Sequence, residues 1–115
     1  MLEPADLLVW GIIAHLLADW PFQTEWMVLH KTSLNHPAAW AHSGVHLVCM
    51  LMVFPWHLAV LIAISHLLID TRIPVDWWMR VVKGMSRSDP HAFVVETWLD
   101  QVFHITVLAF VVLVF

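Results

Sequence analysis

His15-Leu16-Leu17-Ala18-Asp19 sets two side chains of metal-ligand type four residues apart inside an apolar run. The same spacing returns in each later apolar run: His42 with His46, His66 with Asp70, and Asp100 with His104. At 3.6 residues per turn, positions i and i+4 lie on one helix face, one turn apart. Four runs with one pair each therefore predict four helices that turn eight polar side chains toward a shared core. Direction supplies a second argument. His15 and Asp19 close the first run, His42 and His46 open the second, His66 and Asp70 close the third, and Asp100 and His104 lie early in the fourth. In helices of alternating direction all four pairs fall at one depth.

Working outward, the four runs are Leu7–Trp20, Ala38–Phe54, Trp56–Ile69 and Trp98–Phe115. The 115-residue chain is 61% hydrophobic and 12% charged, with mean hydropathy +0.79; soluble domains hold roughly 45–50% and about 25%. A water-solvated core of this size cannot cover so much apolar surface, whereas a bilayer solvates it. The expected fold is all-α, a single domain over residues 1–115: an integral membrane four-helix bundle with an interfacial amphipathic helix between helices 3 and 4. The shorter runs reach only about 21 Å against a hydrocarbon core near 30 Å, so they must extend through polar ends or meet a locally thinned bilayer.

The connections carry the orientation. Pro21 to Pro37 reads as a polar, proline-bounded loop with a short helix, and Phe54-Pro55-Trp56-His57 as a tight turn, because proline cannot continue the helical ladder. Thr71 to Ser88 mixes Arg72, Arg80, Lys83 and Arg87 with Val75, Trp77, Trp78, Val81 and Val82, as a helix at headgroup level does. All five Lys and Arg residues lie in the first and third connections. The positive-inside rule puts those loops in the cytoplasm and both termini on the other side. The N-terminal segment, with Glu3, Asp6 and no Lys or Arg, does not read as a signal peptide. Tryptophans at helix ends read as interfacial anchors, and the lone Cys49 and the methionines as packing residues. A net charge of −4 with five basic residues excludes a nucleic-acid footprint.

Three Asp and five His at one membrane depth need compensation, since a charged Asp there costs about 2.5–3.5 kcal/mol. One or two divalent transition metals would provide it, with zinc the first expectation and iron or manganese next. The proposed ligands are His15, Asp19, His42, His46, His66, Asp70, Asp100 and His104. Gln23, Gln101, Ser43, Ser65, Thr97 and Glu96 are close enough in sequence to orient them, Gln101 best of all. His30, His36, His57 and His91 lack such pairing and read as interfacial. A metal-free polar network joining the helices is the plain alternative. A b-type haem protein fits less well, because haem does not call for three Asp partners.

His15-Leu-Leu-Ala-Asp19-Trp-Pro-Phe-Gln23-Thr, His42-x-x-x-His46, His66-Leu-Leu-Ile-Asp70 and Asp100-Gln101-x-x-His104 together resemble domain of unknown function family 3307 over nearly the whole chain. That resemblance implies a small bacterial or phage-associated membrane protein, hence the inner (cytoplasmic) membrane, and brings no reaction with it. A more distant similarity, to membrane-bound hydrolases with His and Asp pairs on transmembrane helices, is analogy. The expected function is metal-dependent hydrolysis of a lipid or lipid-linked ester, amide or phosphoryl group. The competing expectation is a non-enzymatic, metal-stabilised small subunit of a larger membrane assembly or homo-oligomer, or a phage-type membrane effector.

Overall fold

A computed structural model describes residues 3–115 and contains six α-helices, with no strand among the described residues. They are α1 (Pro4–Asp19), α2 (Glu25–His30), α3 (Pro37–Leu51), α4 (Trp56–Asp70), α5 (Ile73–Val81) and α6 (Ala92–Val114). Prolines mark the starts. Pro4, Pro37 and Pro74 occupy first-turn positions, where a missing N–H costs nothing, and Pro55 precedes α4. Side chains cap two helices: Thr24 Oγ1 accepts from Met27 N at 3.3 Å, and His36 Nδ1 accepts from Ala38 N at 3.0 Å.

The four longer helices form a ring in which α1 packs on α3, α3 on α4, α4 on α6, and α6 back on α1. Away from the polar pairs the ring is filled by Ala14, Met50, Phe54, Ala59, Ile62, Leu108 and Val111. Alanines at the seams let the backbones approach: Ala18, Ala38 and Ala59 are fully buried. Gly11 has the same role, since a Cβ there would lie 3.1 Å from Phe54 Cε2 and Cζ. Of the other helices, α2 approaches only α3, and α5 bridges α4 and α6.

The short helix expected in the first connection is α2, and the helix expected between the third and fourth long helices is α5. The latter is shorter than the Thr71–Ser88 stretch, because the chain turns after Val82 through Gly84 at φ +64°. Two long helices start earlier than their apolar runs, α1 at Pro4 and α6 at Ala92. In α6 the extra turns hold Glu96, which pairs with Arg72 and Arg87, both at 3.5 Å.

The surface polarity is inverted. Large apolar side chains such as Trp10, Leu17, Val48, Leu51, Ile64, Leu68, Val102 and Phe110 are exposed around the ring, and so are all eight tryptophans, while the buried set includes eight His and Asp residues and Lys31. By length and composition, among the described residues only α6 is long and apolar enough to cross a membrane; α4 and α5 together qualify only as a pair bent by 54°. The expected four membrane crossings are therefore not shown: one helix, or two with the bent pair, qualifies among the described residues.

Candidate metal centre

The four pairs converge as their spacing predicted. His15, Asp19, His42, His46, His66, Asp70, Asp100 and His104 are each between 1 and 3% exposed and meet where the ends of α1 and α4 lie against the middle of α3 and α6. His66 stands in the middle, its ring centroid 3.8 Å from that of His46, 4.1 Å from His104, 5.0 Å from His42 and 5.3 Å from His15.

Hydrogen bonds fix which ring nitrogens carry protons. Gln101 Nε2 donates to Asp19 Oδ2 at 3.1 Å and to Asp100 Oδ2 at 3.3 Å, which turns Oε1 toward His15 Nε2 at 3.0 Å. His15 Nε2–H therefore donates to Gln101, and in the neutral ring Nδ1 accepts from His46 Nε2–H at 3.2 Å. Both nitrogens of His15 are engaged. His104 Nδ1–H donates to the carbonyl of Asp100 at 2.7 Å, leaving Nε2 as a lone pair. His66 Nε2–H donates to Asp19 Oδ1 at 3.0 Å, leaving Nδ1 as a lone pair. Such second bonds are how proteins set the tautomer of a ligating histidine.

The remaining atoms lack partners. His66 Nδ1 and Asp70 Oδ2 lie 3.2 Å apart, two acceptors with no proton between them. His42 Nε2 is 3.1 Å from both Asp19 Oδ1 and Asp70 Oδ2 without hydrogen-bond geometry to either, and its Nδ1 is also unpartnered. His104 Nε2 lies 3.5 Å from Asp70 Oδ1, and neither atom forms a hydrogen bond; Asp100 Oδ1 has no partner. Buried lone pairs that crowd one another at these distances are the pattern of a cation site, because a cation between them removes both the repulsion and the desolvation cost. The donor set fits a divalent transition metal: imidazole nitrogens and carboxylate oxygens, with no sulfur.

Among the described residues, three groups have ligand atoms close enough together to hold a metal ion: His15, Asp19, His66 and His104; Asp19, His42, His66 and Asp70; and Asp70, Asp100 and His104. The last two contain the unpartnered atoms and share Asp70, whose Oδ2 faces His42 and His66 while Oδ1 faces His104. His46 belongs to none of the three. It stacks on His66 and bonds His15, so it stands behind the other ligands.

Among the expected orienting residues, Gln101 touches three of the eight side chains, and Gln23 donates to the backbone carbonyl of Asp19. Ser43, Ser65 and Thr97 bond backbone carbonyls of Ala63, Ile62 and Phe93 instead. His30, His57 and His91 are exposed, and His30 stacks on His36 at 4.1 Å. Lys31 is the residue that sequence reasoning missed. It is 7% exposed, with Nζ 4.0 Å from Asp70 Oδ1. Its position just after the six-residue α2 gave no periodic signal, because burial there depends on how α2 folds back onto α3.

The fold and site define an all-α protein with buried His and Asp groups that could hold a metal ion. The family described as Protein of unknown function (DUF3307) matches residues 7–115, and the chain belongs to it. Comparison with curated proteins and with solved structures returns no match.

Proposed function

We propose that this chain is a multi-pass protein of the bacterial inner membrane that holds two divalent transition metals, zinc first, and hydrolyses a lipid or lipid-linked ester, amide or phosphoryl group. The observation that carries the reading is the double role of Asp70, whose two oxygens each meet unpartnered histidine lone pairs, His42 and His66 on one side and His104 on the other. Asp19, His42, His66 and Asp70 make a four-ligand position, and Asp70, Asp100 and His104 a three-ligand one. Closed four-ligand sites are structural, whereas catalytic sites keep a position open beside three protein ligands. His15 and His46 are then supports, which reduces the eight expected ligands to six. A bound dication supplies Lewis acidity for hydrolysis.

The inverted polarity supports the membrane reading, since an apolar exterior of this extent is a liability in water and ordinary in lipid. Trp20, Trp26, Trp40, Trp77, Trp78 and Trp98, exposed in or beside the connections, suit an interfacial belt. With Lys31, Arg72, Arg80, Lys83 and Arg87 cytoplasmic, the centre lies near the cytoplasmic headgroups, within reach of a lipid-linked substrate, and both termini face away. Entry runs past Lys31: α2 packs on α3 alone and is the least supported helix of the ring's neighbourhood.

The test is metal content by mass spectrometry on detergent-purified, unchelated protein, followed by a hydrolysis screen on lipid esters, amides and phosphoesters. About two ions per chain are expected, with one lost in His42→Ala and both in Asp70→Ala. A wild type without metal overturns the reading. The near-complete burial of the eight side chains favours a second reading, a metal-stabilised subunit without enzymatic activity. A metallated protein inert toward the whole screen selects it.

A further inference from the structure

The buried Lys31 tells what the three-ligand position takes. Its side chain is more than nine-tenths buried, its Nζ faces Asp70 Oδ1 at 4.0 Å, and it makes no hydrogen bond among the described residues. Asp70 Oδ1 is the oxygen turned toward His104, so the ammonium stands at the carboxylate both groups share, on its three-ligand side. An ammonium at the end of a largely buried side chain, with no hydrogen-bond acceptor, rests on that carboxylate, and a carboxylate shared with a cation no longer neutralises it. Charge decides the rest. Two dications and one ammonium against three carboxylates, with neutral imidazoles, leave a surplus of two positive charges among largely buried side chains. A neutral ester or amide relieves none of it. A dianion with several acceptor oxygens relieves all of it and takes up the Lys31 donors.

From this we infer that the site binds a phosphoryl group carrying two negative charges, a phosphate monoester or phosphate itself, with Lys31 as its specificity-determining residue. This rests on the two-ion reading above. The hydrolytic step then consumes water alone: the P–O bond to the alcohol breaks, a P–O bond to the water oxygen forms, and a water proton ends on the departing alcohol oxygen.

The experiment titrates inorganic phosphate into zinc-loaded protein in phosphatidylcholine nanodiscs by calorimetry, with metal content measured on the same samples. Wild type is expected to bind phosphate. Lys31→Gln is expected to keep its metal and lose about tenfold or more in phosphate affinity, while Lys31→Arg keeps most of it. Affinity in Lys31→Gln within about twofold of wild type overturns the inference, as does loss of metal in that variant, which would make Lys31 structural. If Lys31→Gln does not fold, the wild type decides: phosphate must raise the Tm of the zinc-loaded but not the metal-free protein, and acetate at equal ionic strength must not. Wild type with two ions and no phosphate binding sinks this inference alone, whereas wild type without ions sinks the two-ion reading as well. Nanodiscs containing phosphatidic acid separate the sources: competition with phosphate assigns a lipid headgroup, and its absence a soluble phosphate, either within the class inferred.

Discussion

His66 gives its Nε2 proton to Asp19 and keeps a lone pair beside Asp70, so one imidazole ties α4 to α1 and leaves a nitrogen free at the four-ligand position. Replacing it with alanine is expected to abolish binding at the four-ligand position and leave the ion held by Asp70, Asp100 and His104. His46→Ala, which removes a ring that stacks behind His66 and belongs to no ligand group, should weaken binding by about tenfold at most. Competition titration against a chromogenic chelator separates the two, and equal losses would return His46 to the ligand set. Gln101→Leu removes the bridge among His15, Asp19 and Asp100 and is expected to cost about 10- to 100-fold in metal affinity without unfolding the ring. At this scale the eight side chains were legible because an i,i+4 pair of ionisable residues in an apolar helix has few other uses. Their division of labour was not legible: which nitrogens hold protons, and that Asp70 faces two ways, depend on contacts between residues up to 86 positions apart in sequence.

Helix seams make different demands at the two glycines of the ring. A Cβ on Gly11 meets the Phe54 ring at 3.1 Å, while one on Gly44 meets nothing within 4 Å. Gly11→Val is expected to destabilise the protein by about 1–3 kcal/mol through overpacking. Gly44→Ala is expected to stabilise it by up to about 1 kcal/mol through helix propensity. Chemical denaturation in detergent measures both, and a destabilised Gly44→Ala would show that α3 needs a small residue there for another reason. Arg87, 67% exposed, chelates Asp76 through one guanidinium nitrogen with both distances 2.6 Å. Even so, Arg87→Ala should cost no more than about 1 kcal/mol, because water screens such pairs. The turns at Pro21, Pro37 and Pro55 and the four long helices could be read from the sequence, since proline stops and apolar runs are local signals. The true starts at Pro4 and Ala92 could not, because the first turns of α6 carry Glu96 and Thr97 and are held by ion pairs from distant arginines. The bend after α4, where Arg72 takes a left-handed φ of 68°, was equally hidden, since nothing local marks an arginine for that conformation.

Considered whole, the molecule encloses eight His and Asp side chains and Lys31 within a ring whose exterior is largely apolar, so its stability should hinge on what neutralises that cluster. Chelation is expected to lower the Tm steeply; an ion present at about a hundred times its Kd contributes roughly 2.7 kcal/mol. An unchanged melting curve after verified metal removal would favour a hydrogen-bonded network over a cation site. Topology is testable in a Cys49→Ser background: Ser33→Cys and Ser88→Cys should react with an impermeant maleimide only from the cytoplasmic face, and His57→Cys only from the other. The reverse pattern would turn the molecule over. The seating of α2 on α3 alone reaches into time as well as space. If an ion leaves when that short helix lifts, the rate at which metal is surrendered levels off as chelator concentration rises, at the opening frequency of α2, and a rate that keeps rising points to another exit. A cell that made this protein while starved of its proper ion would then carry the wrong one for many such openings, long after supply had been restored.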